Sequence, residues 1–210
     1  VLKDIPAKNI PGDQIADALI YGIRGMGLDC LPWSTKATEW RQRVLCYHQK
    51  TVTGPDLSDC NLLETLEEWL LPYLAGMSRV QHLKSLDMLT ILKSRLDWSA
   101  LQTMDKQVPS HFTVPSGSSI KIDYTDSMAP VLPVKLQEMF GETETPSILN
   151  GAIALTVHLL SPAGRPLQIT QDLQAFWSNT YPQVKAEMKG RYPKHSWPDN
   201  PLAAVPTRHV

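Results

Sequence analysis

Apolar side chains recur at the spacing of α-helices through the first hundred residues of this 210-residue chain. Ile15, Leu19 and Ile23 fall on one helical face, and Gly25 and Gly27 follow where the helix should stop. Further helices are predicted after a cap at Ser34, with the stripe Ala37, Trp40, Val44 and Tyr47; after a cap at Asp59, with a stripe from Leu62 to Leu74; and over 79–96 and 99–106. The short polar joints between them favour antiparallel packing.

Near Val108 the hydrophobic period changes from 3.6 residues to two. Alternation in 111–114 and 119–124 around a turn of Pro, Ser and Gly predicts a β-hairpin, and a second hairpin is predicted to pair 153–160 with 166–170. In the second hairpin His158 should share a strand face with Thr156, opposite Val157. It then lies either in a mixed polar patch with Lys121 and Arg165 or in the core with its hydrogen bonds satisfied.

The segments around the second hairpin are predicted as helix and loop. A short helix is expected over 134–140, closed by Gly141, and a polar loop over 142–150. After the hairpin, Thr170 is expected to cap a helix that Pro182 restarts and that ends near residue 190.

These patterns predict an α+β fold in three parts. The parts are a helical subdomain over 1–107, a small hairpin-containing α+β subdomain over 108–190, and an extended, basic, proline-rich tail over 191–210. Prolines exclude regular structure in the tail, which should therefore wrap along the body or hang free.

Composition narrows the function classes. The chain is 42% hydrophobic and has a formal net charge of −1, from 20 basic and 21 acidic residues. Such balance argues against coating nucleic acid by bulk electrostatics. The charge is uneven, however, because residues 51–78 carry acidic side chains without Lys or Arg, whereas the region after residue 182 is basic.

The cysteines and the hydropathy indicate a cytoplasmic protein. Cys30, Cys46 and Cys60 are odd in number, lack the C-x-x-C spacing and are expected to be reduced. No apolar run is long enough for a membrane span, and no signal peptide opens the chain. Because the chain starts at Val1 without Met, we expect it to be part of a longer protein.

No catalytic motif and no metal-ligand spacing is present in the sequence. It contains no G-x-x-x-x-G-K-[ST] loop, no G-x-S-x-G elbow and no H-E-x-x-H, and its six histidines are scattered. Ser116, Ser118 and Ser119 fit a turn composition, and the adjacent Glu67 and Glu68 diverge on a helix surface and fit a solvated face. We therefore expect no catalytic residue, no metal site and no cofactor in this chain.

The basic and aromatic C-terminal region is the candidate binding site. Flat rings and cations together are typical of sequence-tolerant single-strand binding. The predicted nucleic-acid-binding residues are Lys189, Arg191, Tyr192, Lys194, Trp197, Arg165 and Lys185. Core packing is the alternative for Trp177, and anchoring of the tail to the domain surface is the alternative for Tyr192 and Trp197.

Short runs in a fixed order and spacing extend over most of the chain: Ile23-Arg24, Gly27-Leu28, Leu31-Pro-Trp-Ser34, Pro55-Asp-Leu-Ser-Asp59, Leu66-Glu67, Trp69-Leu70, His111-Phe-Thr-Val-Pro-Ser-Gly-Ser118, Ile122-Asp-Tyr124, Pro130-Val131, Leu136-Gln-Glu-Met-Phe-Gly141, Glu144-Thr-Pro146, His158 to Trp177, and Gly190 to Pro198. In this order and spacing they resemble the C-terminal region of the HrpB-type DEAH-box RNA helicases of bacteria.

The resemblance implies a non-catalytic accessory module of an ATP-dependent RNA helicase. In that family two RecA-like motor domains precede this region, and ATP and Mg²⁺ are expected to bind there. The implied partners are single-stranded RNA or another nucleic acid, the motor domains of the same chain, and a protein of unknown identity. The alternative is a protein-interaction scaffold that does not touch RNA.

Overall fold

The computed structural model describes residues 12–208 and separates the chain into two compact units. The division lies between Leu101 and Gln102. The ends of the predicted helical subdomain and tail, residues 1–11 and 209–210, lie outside the described residues.

The first unit is helical. Its helices are α1 Gly12–Met26, α2 Thr35–Thr51, α3 Asp59–Glu64, α4 Leu66–Trp69, α5 Met88–Lys93 and α6 Trp98–Gln107, the last of which continues into the second unit; 3-10 turns occupy Leu28–Cys30, Leu71–Tyr73 and Val80–Ser85. Within residues 12–110 the described chain contains no strand. The change of hydrophobic period at residue 108 therefore marks the change of secondary structure, as predicted.

Helix α2 begins and packs as the sequence predicts. The Ser34 side chain accepts a hydrogen bond from the Ala37 amide at 3.2 Å, which satisfies one of the unpaired donors at the helix start. Trp40 and Val44 are buried on the predicted stripe. The helix ends where Val52 adopts a left-handed conformation, with φ of 54°.

The helix predicted to follow Asp59 is interrupted, and its cap is one residue earlier. Ser58 accepts from the Asn61 amide at 3.3 Å, so Asp59 is the first helical residue rather than the cap. Thr65 has φ of −106° and separates α3 from α4, and its hydroxyl donates to the Asn61 carbonyl at 2.7 Å. Pro72 then confines the next segment to a 3-10 turn, because proline lacks the amide that a continuing helix needs.

The single helix predicted over 79–96 is also wrong. A 3-10 turn, Val80–Ser85, is followed by an extended residue at Leu86, and α5 starts afresh. Asp87 causes the restart, because its carboxylate accepts from the Leu89 amide at 3.1 Å and from the Thr90 amide at 3.3 Å. The leucine residues recur at helical spacing, but the cap at Asp87 divides the segment into a 3-10 turn and a separate helix.

The three cysteines of the helical unit are free thiols at three depths. Cys46 is buried, Cys30 is half-buried and Cys60 is exposed. Burial raises the pKa of Cys46 to about 11, and a hydrogen bond to Glu64 raises the pKa of Cys60.

The second unit is built on three small sheets. Its strands are β1 His111–Thr113, β2 Ser119–Lys121, β3 Val131–Lys135, β4 Ser147–Ile148, β5 Ile153–Ala154, β6 Thr156–Leu160 and β7 Pro166–Thr170. The β1–β2 and β6–β7 pairs are antiparallel, so both predicted hairpins are confirmed. The sheet order β3-β6-β7 places β6 at the centre of the largest sheet.

Two strands in this unit were not predicted. The helix predicted over 134–140 is wrong at its start, because Val134 lies in β3, which pairs parallel to β6. Only Leu136–Met139 form a 3-10 turn, and Gly141 follows with φ of 81°. The predicted polar loop over 142–150 contains β4. Strand β3 was not predicted from the sequence because it contains Pro133, and proline removes a ladder donor and is rare in strand interiors.

His158 shares a strand face with Thr156, opposite Val157, as predicted, and this face points away from the core. Val157 and Leu159 are fully buried, whereas Thr156, His158 and Leu160 are half-buried on the opposite face. His158 therefore belongs to the polar and apolar outer face of the sheet rather than to the core.

The last helices follow the sheet closely. Asp172, not Thr170, caps α7 Leu173–Ala175, since its carboxylate accepts from the Ala175 amide at 2.8 Å. A π-helical turn joins α7 to α8, Tyr181–Arg191, which has Pro182 in its first turn as predicted.

Residues 192–208, here called the strap, wrap along the second unit. Strap carbonyls accept hydrogen bonds from the Tyr181 hydroxyl, at 2.9 Å to Pro198, and from the Gly141 amide, at 3.0 Å to Pro201. Further along, the Thr207 amide donates to the Gln137 carbonyl at 3.1 Å, and the Arg208 guanidinium donates to the Ser116 carbonyl at 2.9 Å. The wrapped form of the predicted tail is the one found.

Candidate nucleic-acid interface

Three exposed cations lie at the end of α8. Lys189 and Arg191 occupy its last turn, and Lys194 follows in the strap. We call these three residues the basic cluster. Their charge complements the negative end of the helix dipole, which favours cations there, and their exposure leaves them open to an anionic ligand.

Lys185, another predicted phosphate contact, is occupied within the chain. Its ammonium group forms an ion pair with Asp199, and only 18% of the Lys185 side chain is exposed. The hydrogen bond from Lys185 lowers the pKa of Asp199, and the charge of Lys189 lowers it further. Lys185 thus fastens the strap to α8, which leaves it poorly placed for a ligand.

Trp197 is an anchor of the strap. Its ring is 8% exposed, and its indole N–H donates to the Tyr192 carbonyl at 3.0 Å. A ring so deeply packed presents no open face on which a base could stack. Tyr192 is half-buried and meets His195 edge to face, with 5.8 Å between ring centroids, so it retains partial access.

Trp177 packs in the core, as the alternative interpretation held. Its ring centroid lies 4.9 Å from that of Phe176 and 5.4 Å from that of Tyr181, both in tilted or edge-on contacts. Its N–H donates to the Glu142 carbonyl at 2.7 Å, which satisfies the one polar group of a buried indole.

Arg165 lies on a different element from the basic cluster. It is exposed in the turn between β6 and β7, where its amide donates to the Ser161 hydroxyl at 3.1 Å. The predicted contact residues thus lie on three elements: α8, the strap, and the turn that contains Arg165.

The serine turn and the paired glutamates have structural roles. The Ser116 hydroxyl donates to the Glu138 carboxylate at 2.8 Å and ties the turn to a buried acid that sequence reasoning missed. Glu67 pairs with Arg24 at 2.7 Å, and that hydrogen bond lowers the pKa of Glu67. Nothing in the sequence distinguished Glu138, because its burial depends on the turn that covers it.

Among residues 12–208 no group of three or more His, Cys, Asp or Glu side chains could hold a metal ion. No helix in the described part of the chain has the length and apolar character needed to cross a membrane.

The fold and the surface together define an α+β module that carries the basic cluster at the end of α8. A family model described as "ATP-dependent helicase C-terminal", HrpB_C, matches residues 69–201, which is more than half of the chain. The chain belongs to this family, and the resemblance drawn from its sequence is confirmed.

Named relatives agree with the family assignment. The chain is 46% identical over 200 residues to "ATP-dependent RNA helicase HrpB" of Escherichia coli strain K12, a match that covers 94% of this chain and 25% of the relative. The crystal structure of E. coli DExH-box NTPase HrpB superposes with a TM-score of 0.88 at 45% identity, over 98% of this chain and 26% of that one. A crystal structure of the Escherichia coli DEAH/RHA helicase HrpB gives 0.74 at 43% identity, over 93% of this chain and 25% of that one. The chain therefore spans about a quarter of the length of the relatives it matches.

Proposed function

We propose that this chain is a non-catalytic accessory module of an ATP-dependent RNA helicase and that it binds single-stranded RNA through the basic cluster. In this proposal ATP and Mg²⁺ act in motor domains of the same longer protein, against which the module packs. The free thiols at Cys30, Cys46 and Cys60 fit a reducing compartment, the cytoplasm.

The exposure of the basic cluster carries the proposal. Lys185 is consumed by an ion pair, but within residues 12–208 the structure shows no ion pair for Arg191 or Lys194. Lys189 lies only within electrostatic reach of Asp199. Unpaired cations at the surface exchange counterions for phosphates, which is the main source of nucleic-acid affinity.

The test is a triple alanine substitution of Lys189, Arg191 and Lys194, measured by fluorescence anisotropy with a labelled oligouridine at several salt concentrations. Each lost phosphate contact removes roughly 0.7 from the slope of log affinity against log salt for a single strand. We therefore expect weaker binding and a flatter salt dependence.

A charge-matched control separates the site from net charge. Lys36, Lys50 and Lys84 are exposed lysines of the helical unit, and their triple alanine variant loses the same three charges. Equal losses in both variants, or no loss in the first, would contradict the proposal.

A protein-binding scaffold is the second candidate, favoured by the surface of α1. Tyr21 is 80% exposed and Met26 is 49% exposed on this helix, so α1 presents two large side chains that a protein partner would cover. Affinity purification with the parent and with Tyr21→Ser as bait tests it: a partner retained by the parent and lost by the variant, without RNA binding, would favour the scaffold.

A further inference from the structure

The outer face of the β3-β6-β7 sheet carries one row of side chains suited to a flat ligand. The pairing register aligns Pro133 on β3 with His158 on β6, and His158 with Ile169 on β7. Pro133 and His158 are half-buried, and Ile169 is 55% exposed. An imidazole thus lies between two apolar side chains, across the full width of the sheet.

The same face is basic at one end. Lys135 lies two residues beyond Pro133, and the register places it beside Leu160, next to the β6–β7 turn that contains Arg165. Two residues along a strand span about 6.6 Å. That distance lets one nucleotide place its base on the row and its phosphate near Lys135.

The other end of the face is polar and mixed in charge. Asp123 bridges Val131 at the start of β3 and lies within electrostatic reach of Lys121 and His158. The hydroxyl of Thr156, beside Val131, accepts a hydrogen bond from the side-chain amide of Gln171 at 2.8 Å. Lys135 therefore gives the adjoining phosphate a defined place at its own end of the face.

We propose that this sheet face is a second single-strand contact, in which His158 stacks on one RNA base between Pro133 and Ile169 while Lys135 binds the adjoining phosphate. The inference rests on the proposed function, since it assumes that the module binds RNA. Base stacking on a ring tolerates any sequence, because every base has a π-face. The basic cluster and the sheet face would then act as two contacts on RNA.

The test compares His158→Ala, His158→Phe and Lys135→Ala for binding of a labelled oligouridine. Losing one stacked base weakens binding about tenfold or more, so His158→Ala should show that loss with an unchanged salt slope. His158→Phe keeps a ring and should bind within about threefold of the parent, because stacking is retained. Lys135→Ala should lower the salt slope by about 0.7.

The control is His111→Ala, because His111 is an exposed histidine on β1, in another sheet. It should bind like the parent. If the parent binds RNA but His158→Ala binds equally well, or if His158→Phe loses as much as His158→Ala, the stacking contact is refuted while the proposed function stands. If the parent binds no RNA at salt concentrations from low to physiological, both proposals fall.

A measurement on the parent protein covers the case in which His158→Ala does not fold. The ring carbon-bound protons of His158 are followed by NMR during titration with oligouridine, and those of His111 serve as the internal reference. A stacked base shifts the His158 signals and leaves those of His111 in place. An unmoved His158 signal at saturating RNA overturns the inference and leaves the face to a protein partner.

Discussion

Replacing Trp197 with alanine tests whether its ring anchors the strap or stacks on an RNA base. The ring is 8% exposed and its N–H is hydrogen-bonded to the Tyr192 carbonyl, so the variant loses both packing and a hydrogen bond. We expect the cost to fall on the stability of the second unit, with RNA affinity unchanged while the unit is folded.

The size of the loss follows from the packing. Truncating a buried Trp or Phe to alanine costs about 3–5 kcal/mol, and the value depends on how far the surroundings collapse. Because Trp197 belongs to a strap that can shift toward its neighbours, we place the loss near the lower end, about 3 kcal/mol. For a unit of about a hundred residues this lowers the melting temperature by roughly 10 °C or more.

Amide hydrogen exchange gives a local measure beside the calorimetric melt. The Gly141 amide donates to the Pro201 carbonyl and the Thr207 amide to the Gln137 carbonyl, so release of the strap should speed exchange at both sites. Trp98→Ala is the control, because Trp98 is 61% exposed and such surface changes stay within about 0.5 kcal/mol. A Trp197→Ala protein that loses less than about 1 kcal/mol of stability yet binds RNA tenfold more weakly would show that the ring is a ligand contact.

Three smaller perturbations test other parts of the fold. Tyr181→Phe should cost about 1 kcal/mol through its lost hydrogen bond. Burial, helped by the charge of Asp199, raises the pKa of Tyr181 to about 12, above the ~10 of an unfolded tyrosine. The free energy of unfolding of the parent should therefore fall between pH 10 and 12 by an amount that Tyr181→Phe does not show. Ser34→Ala should cost about 1 kcal/mol and Ser34→Gly only a few tenths, as measured by urea unfolding; equal losses would deny the cap a role. Gly117→Ala and Gly164→Ala both place alanine at a positive φ, 77° and 74°, which should cost about 1 kcal/mol in each. Gly117→Ala should lose more stability than Gly164→Ala, because its new carbon lies 2.7 Å from the Arg208 guanidinium; an equal loss would show that this side chain moves aside freely.

Hydrophobic period and turn chemistry were sufficient for the elements with strong local signals. The helix after Ser34, both hairpins and the strand face that His158 shares with Thr156 were predicted because cap, turn composition and alternation all agreed. Alternation alone did not show whether that face is open or buried. The leucine-rich segments after residues 59 and 79 were predicted as helices that were too long. There, the side chains of Thr65 and Asp87 form local hydrogen bonds that compete with helix continuation.

The pairing between distant strands could not be predicted from the sequence, for a different reason. Strand β3 contains a proline, and its partner β6 begins more than twenty residues later, so no local pattern reveals the parallel pair. The same limit applies to the binding residues. Residue type nominated both Lys185 and Lys189, but only the folded chain shows that Asp199 takes the first and leaves the second exposed.

Because the three cysteines lie at different depths, their labelling rates can report local unfolding of the helical unit. A thiol-reactive dye attacks the thiolate, so exposed Cys60 should label first and half-buried Cys30 later. Cys46 lies inside α2 with its pKa raised to about 11, and it should label only when that helix opens. The rate at Cys46 would therefore report how often the helical unit unfolds locally, in the native protein and without any engineered residue.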